Sequence, residues 1–204
     1  MASDLLEIQH EAICGDAITL RIPGQPYSVE EFAKLCAANP EVSFEMNSDG
    51  SLVIMTPTGG SSGRRNIRIA QLLMNWCDQD RSGVAFDSST LFEFPDRSMK
   101  SPDASWILLD RWNRLSTEKQ EGFPPIVPDF VAELRSPTDS VHRLCEKMKE
   151  YIDQGVRLGW LIDPKTRSVE VYRPGKEVER IENASSVSGD PELPGFVLDL
   201  EKVW

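Results

Sequence analysis

Histidine and well-placed cysteine are scarce in this sequence, and long apolar runs are missing. The 204 residues contain two histidines, His10 and His142, and four cysteines, Cys14, Cys36, Cys77 and Cys145. Neither histidine belongs to an H-E-x-x-H or similar spacing, which argues against a zinc hydrolase. The cysteines are far apart and form no C-x-x-C pair, which argues against a structural zinc site and a disulfide framework. Cys77 and Cys145 lie in apolar-periodic segments, where a free thiol is ordinarily buried. No apolar run approaches the ~18 residues that a membrane span needs. Residues 1–10 lack a basic flank followed by an apolar stretch, so no secretory signal is expected and the cytoplasm is the default location. Positive charge is also in deficit: 22 Lys and Arg against 33 Asp and Glu leave a net charge of −11. A general nucleic-acid binder would be basic. The deficit counts against one, although a local basic patch and local carboxylates are all that a nuclease requires.

What is present is ordinary for a globular protein, with 40% hydrophobic and 27% charged residues. The length suits one domain with a sizeable core. Ser28-Val29-Glu30-Glu31 has the form of a capping box and predicts a short helix to about residue 38. Residues 42–46 and 51–55 read as strands joined by Asn47-Ser48-Asp49-Gly50, a hairpin turn. Residues 57–63 read as a Gly/Ser-rich loop, followed by a helix over 64–79 with Ile69, Leu72, Leu73 and Trp76 on its inner face. Strands are expected within 84–94, 103–109 and 127–134, with a short helix and loop in the polar stretch 111–122. Asp139 is a good N-cap for a helix whose apolar stripe is Val141, Leu144, Cys145, Met148, Tyr151 and Ile152. Gly155 reads as its C′ residue. A second hairpin covers 158–163 and 168–173. The tail from Pro174 is loop-rich, with a small edge element near Gly195-Phe196-Val197-Leu198. This order defines a mixed α/β (α+β) domain with helices packed on a central sheet. Trp106, Trp160 and Tyr151 read as core aromatics, and Trp76 as core or part of a dimer face.

The chemistry concentrates in two segments, Ser101-Pro102-Asp103-Ala104-Ser105 and Pro128-Asp129-Phe130-Val131-Ala132-Glu133-Leu134-Arg135-Ser136-Pro137. In a strand, side chains alternate faces, so Phe130, Ala132 and Leu134 share one face and Val131, Glu133 and Arg135 the other. A carboxylate in the middle of an apolar strand is costly unless it is paired or binds a metal. A buried Glu133–Arg135 ion pair bracing the sheet is one reading. Asp103 supplies another: it opens a second apolar strand after a proline, and if the two strands are neighbours the two carboxylates converge. Converging carboxylates form a hard-oxygen site for Mg²⁺ or Mn²⁺, where water is activated and charge on a phosphate oxygen is stabilised.

These segments resemble the Uma2 family, formerly DUF820, which is widespread in cyanobacteria. The similarity runs from about residue 27 to 204. It rests on Thr58-Gly59-Gly60, Ser101-Pro102-Asp103-Ala104-Ser105-Trp106, the Pro128 to Pro137 segment, Lys147 to Tyr151, and Gly159-Trp160-Leu161-Ile162-Asp163-Pro164. The resemblance implies a restriction-endonuclease-like core, a central mixed β-sheet flanked by helices, in the PD-(D/E)XK nuclease superfamily. It implies a metal-dependent endonuclease hydrolysing DNA, with Asp103 and Glu133 holding Mg²⁺ or Mn²⁺. An early acidic residue often joins the metal site in this fold, and Glu45 is the candidate, with a solvated strand position as its alternative. The sequence departs from the pattern in having Arg135 where the lysine of D/E-x-K is expected, and arginine stays protonated. The family pattern, a lysine four residues before a tyrosine, points to Lys147 as the amine. Helical spacing alone leaves Lys149 and a snorkelling role for Lys147 open. Arg135 would stabilise phosphate charge or support Glu133. Arg64, Arg65 and Arg68 would contact phosphate or simply be solvated. Residues 1–26 then form an N-terminal extension, 27–175 the nuclease domain, and 176–204 a tail packing on it. A homodimer is expected by analogy with the fold. The alternative is a non-catalytic binding module on the same fold, favoured by the acidic charge and Arg135. RNA in place of DNA is a third reading.

Overall fold

Ser28 starts the first helix as its capping box predicts. Its Oγ accepts from Glu31 N at 3.2 Å, and its own N–H donates to Glu31 Oε2 at 2.9 Å. The computed structural model describes residues 17–20 and 27–204; His10, Cys14, the signal reading over residues 1–10 and most of the expected N-terminal extension lie outside the described residues. Helix α1 (Val29–Ala38) buries Phe32 against Met46, Leu52 and Met99. Full burial of one such side chain is worth roughly 1.5–3 kcal/mol. The predicted hairpin is present as β2 (Ser43–Met46) and β3 (Leu52–Met55), paired antiparallel. It is widened by β1 (Ala17–Leu20) on one side and by β6 (Met99–Lys100) and β5 (Phe92–Glu93) on the other, giving the order β1-β3-β2-β6-β5.

The larger sheet has the order β11-β10-β9-β8-β7-β4. Its strands are β4 (Gly83–Asp87), β7 (Ala104–Leu108), β8 (Phe130–Leu134), β9 (Leu158–Asp163), β10 (Ser168–Tyr172) and β11 (Glu179–Glu182). β7 and β8 are antiparallel neighbours, whereas β8 and β9 are parallel. A parallel pair requires a crossover, and α5 (Val141–Asp153) provides it. At Gly83 the backbone passes so close to the Trp106 ring and the Ile107 carbonyl that a Cβ would collide with both.

Alternation along β8 divides the core. Phe130, Ala132 and Leu134 meet α2 (Gly60–Asp80) through Ile69, Leu73 and Cys77, together with Trp106 and Trp160. The tail closes this side: β12 (Ser186–Ser188) pairs with β13 (Val197–Asp199), and Phe196, Leu198, Leu200 and Val203 join the same cluster. Val131 faces the opposite way, among Met148, Tyr151, Val156 and Leu161 under α5. Two short helices, α3 (Leu109–Trp112) and α4 (Thr117–Glu121), occupy the polar stretch before β8.

The structure corrects two boundaries. The expected 57–63 loop is shorter, because α2 begins at Gly60 behind the extended N-cap Gly59. The first-turn N–H groups of a helix need no intrahelical partner, and Ser62 turns inward to accept from Ser136 Oγ at 3.1 Å. Helix α5 is capped by Ser140, not Asp139; Asp139 Oδ2 instead accepts from Ser136 N at 2.7 Å. Val141, expected in the inner stripe, is 38% exposed in the first turn. At the other end the prediction holds: Gly155 is left-handed (φ +109°), with Gly155 N donating to Ile152 O and Val156 N to Tyr151 O, both at 3.0 Å. That is the double bond of a Schellman cap.

Candidate active site

The two sheets and α5 meet at one cluster of charge. Glu45 arrives from β2, Asp103 from the residue just before β7, Glu133 from β8, and Lys147 from the second turn of α5. The β7–β8 register pairs Ala104 with Ala132, so one further step along the ladder sets Asp103 opposite Glu133. Directly opposed residues have Cβ atoms about 4.5–5.5 Å apart. Asp103 Oδ2 accepts from Leu134 N at 2.8 Å, which ties the carboxylate to the residue after Glu133. Its Oδ1 accepts from Asn66 Nδ2 of α2, also at 2.8 Å. The proline before Asp103 and the strand order thus achieve the convergence that the two segments promised.

Lys147 joins the carboxylates. Its Nζ lies 3.0 Å from Glu45 Oε1 and 3.0 Å from Glu133 Oε1. The Tyr151 ring, one turn further along α5, is 5.7 Å beneath the ammonium, and the Tyr151 hydroxyl donates to Glu133 Oε1 at 2.8 Å. Glu45 Oε1 also accepts from Ser101 N at 2.8 Å. A second cation, Lys100, stands nearby: it is 6% exposed, donates to Asn47 Oδ1 at 2.8 Å and lies 3.3 Å from Glu150.

The two glutamates share a lysine but differ in proton affinity. For Glu133, burial is the leading cause; with Asp103 and Glu45 adding repulsion, it outweighs Lys147 and raises the carboxyl to about 7. For Glu45, burial also works against the charge, but Lys147, Lys100 and the Ser101 N–H overcome it and hold the group below the ordinary value. Burial raises Asp103, opposed by Leu134 N, Lys147 and Asn66. Lys147 is penalised by burial too, yet Glu133 and Glu45 prevail and keep it charged, well above its ordinary value.

A hard divalent ion fits this donor set in kind. Mg²⁺ is commonly bound through one or two carboxylates, waters and phosphate supplying the remainder, and Asp103 and Glu133 are residues that would supply them. Burial first, then repulsion from Asp103 and Glu45, raise Glu133, and a cation bound there would offset both. Among the described residues no group of three or more His, Cys, Asp or Glu side chains gathers as a metal-holding set. Glu45 is engaged by Lys147 and Ser101 N.

The other sequence candidates lie elsewhere. Arg135 Nη1 is 2.8 Å from Asp163 Oδ2, so the guanidinium braces the ends of β8 and β9 and the Glu133–Arg135 pair does not form. Arg64 and Arg65 donate to the carbonyls of Trp204 and Val203, and Arg68 to Gln71. Lys149 is exposed. Trp106 and Trp160 are buried core residues, and Trp76 packs on Trp106 and Phe196. The sequence reading missed three participants. Tyr151 carries both a core ring and a site hydroxyl, and its place in the lysine–tyrosine spacing was the available signal. Lys100 sits two residues before Pro102, in a strand too short to recognise. Nothing in the local sequence marked Asn66.

The fold is that of the restriction-endonuclease-like nucleases. Residues 29–201 match the family model Uma2, described as "Putative restriction endonuclease", and the chain belongs to that family. A solved structure described as a "putative nuclease belonging to DUF820" from Anabaena variabilis ATCC 29413 superposes with a TM-score of 0.71. It is 24% identical, and the match covers 87% of this chain and 97% of that one. A structure described as a DrdV–DNA complex, solved by cryoEM, matches at a TM-score of 0.38 and 12% identity over 60% of this chain and 12% of that one, too weak a likeness to carry an argument. A search of curated proteins finds no match. Among the described residues, no helix is long and apolar enough to cross a membrane.

Proposed function

We propose that the protein is a metal-dependent endonuclease that hydrolyses DNA phosphodiester bonds. The observation that carries the reading is the cluster itself: Asp103 and Glu133 side by side on neighbouring strands, with the Lys147 ammonium 3.0 Å from Glu133. Three carboxylates, Glu45, Asp103 and Glu133, gather with two ammoniums, Lys147 and Lys100, and a divalent ion is a ligand that would use the excess. Membership of a family described as "Putative restriction endonuclease" supports the same conclusion.

In this reading Asp103 and Glu133 hold Mg²⁺ or Mn²⁺. A divalent ion held there would supply Lewis acidity toward water and phosphate. Lys147, held protonated by its glutamates, is a donor and not a base. Its N–H groups orient the attacking water and offset charge as it develops on the phosphate during in-line attack. Glu45 anchors Lys147, and Lys147 together with Lys100 keeps Glu45 ionised. Arg135 is assigned a bracing role, since its charge is committed to Asp163. A homodimer is proposed by analogy with the fold, testable by light scattering.

Supercoiled plasmid, linear duplex and RNA, each incubated with Mg²⁺, Mn²⁺ or EDTA, test the assignment. Open-circular product that requires metal, and is lost in Glu133→Gln, is expected. Cleavage of RNA alone would reassign the substrate. No cleavage of any substrate, with no metal binding by calorimetry, would make the chain a non-catalytic binding module on the nuclease fold.

A further inference from the structure

Asn66 touches the cluster from the opposite side of the sheet's edge to Lys147. It lies on α2, and its Nδ2 donates to Asp103 Oδ1 at 2.8 Å while Leu134 N holds Oδ2. An ionised carboxylate only accepts, so the amide group facing Asp103 is the NH₂. That fixes the amide plane and leaves Asn66 Oδ1 directed elsewhere. This oxygen is buried and has no hydrogen-bond partner among the described residues. Buried polar atoms are nearly always satisfied, and an exception calls for a ligand, a water or an ion. With C=O and C–N bonds of about 1.23 and 1.33 Å, the two ends of one amide are about 2.3 Å apart. The orphan oxygen therefore lies within about 5 Å of Asp103 Oδ1.

We propose that Asn66 is a positioning residue of the metal site, its Nδ2 locking the Asp103 carboxylate and its Oδ1 accepting a hydrogen bond from water on the ion. The inference rests on the metal-dependent reading above. It gives the orphan oxygen a partner and explains why a neutral amide stands beside Asp103. A lysine there would compete with the ion for the carboxylate, and an apolar residue would leave the carboxylate free to turn. Residues that orient metal ligands in this way typically account for 10–100-fold in metal affinity.

The test is Mn²⁺ binding, by titration calorimetry and by the electron paramagnetic resonance signal of free Mn²⁺, for the wild type, Asn66→Ala and Asn66→Asp, with circular dichroism confirming the fold of each. Alanine is the best helix former, so the first variant should keep α2. Asn66→Ala should weaken Mn²⁺ binding by about 10–100-fold. Asn66→Asp loses the NH₂ lock and sets a second carboxylate against Asp103, so it should bind Mn²⁺ no more tightly than Asn66→Ala. Affinity within twofold of wild type in either variant would overturn the inference while leaving the metal site standing. Absence of Mn²⁺ binding by the wild type would overturn the metal reading and this inference together.

Discussion

Replacing Lys147 with methionine should destabilise the protein in a strongly pH-dependent way. Methionine retains most of the aliphatic stem, so the loss is confined to the ammonium. Glu45 and Glu133, 3% and 5% exposed, are then left as buried carboxylates without their shared cation. Breaking a buried ion pair by removing one partner costs about 3–5 kcal/mol. The variant can escape only by protonating a carboxylate. Each such escape costs 1.36 kcal/mol per pH unit above the ordinary glutamate value of 4.5, which makes it about 5 kcal/mol at pH 8 and about 1.4 kcal/mol at pH 5.5. The expected penalty is therefore about 3–5 kcal/mol at pH 8, falling to about 2 kcal/mol or less at pH 5.5. Urea unfolding followed by tryptophan fluorescence measures it; with an m-value of about 2 kcal/mol/M, the midpoint should drop by about 2 M at pH 8. A drop below about 0.5 M at pH 8, or the same drop at both pH values, would refute the reasoning, because Lys147 would not then be compensating buried charge.

Three further outcomes follow from the same contacts. Tyr151→Phe removes the hydroxyl that donates to Glu133 at 2.8 Å and leaves a buried acceptor short of a partner, so thermal unfolding should register a loss of about 1–3 kcal/mol. Glu133 must give up its proton to bind a cation, and its carboxyl stands at about 7; calorimetric Mg²⁺ affinity should thus rise about tenfold per pH unit up to pH 7 and level off above it. Asp163 is pushed up by burial but pulled below its ordinary value of 3.8 by hydrogen bonds from Arg135, Lys165 N and Thr166. A depressed carboxyl contributes stability above its unfolded value that disappears as pH falls through the folded one. Asp163→Asn should therefore be less stable than wild type at neutral pH, with the gap closing below about pH 3.8 in acid-unfolding curves.

Elements whose local chemistry agrees with their tertiary setting were the readable ones. Ser28 and Glu31 form their capping box, Gly155 its left-handed turn, and Met148 and Tyr151 the buried stripe of α5. The start of α2 was hidden because Gly60, Ser61, Ser62 and Gly63 carry loop propensity; Ser62 is helical through a contact with Ser136, 74 residues away. β6 is two residues long and β12 three, so no periodicity could announce them. At the candidate site, the approach of Asp103 to Glu133 was legible because charge interrupts otherwise apolar strands. The Glu133–Arg135 pair that strand alternation allowed does not form, because Asp163 on the adjacent parallel strand holds the guanidinium. Asn66 reaches the cluster from α2, an element remote in sequence, while Lys100 is only three residues from Asp103 but is brought to Glu45 by the pairing of its short strand with β2.

The central claim is that Asp103 and Glu133 form a working metal-dependent nuclease site. It is tested most directly by incubating supercoiled plasmid with Mn²⁺ and either the wild type or Asp103→Asn, with circular dichroism confirming that both are folded. The account predicts open-circular DNA from the wild type, abolished by EDTA, and slowed in the variant by on the order of a hundredfold or more. Equal nicking by both proteins, or none by the wild type, would contradict it.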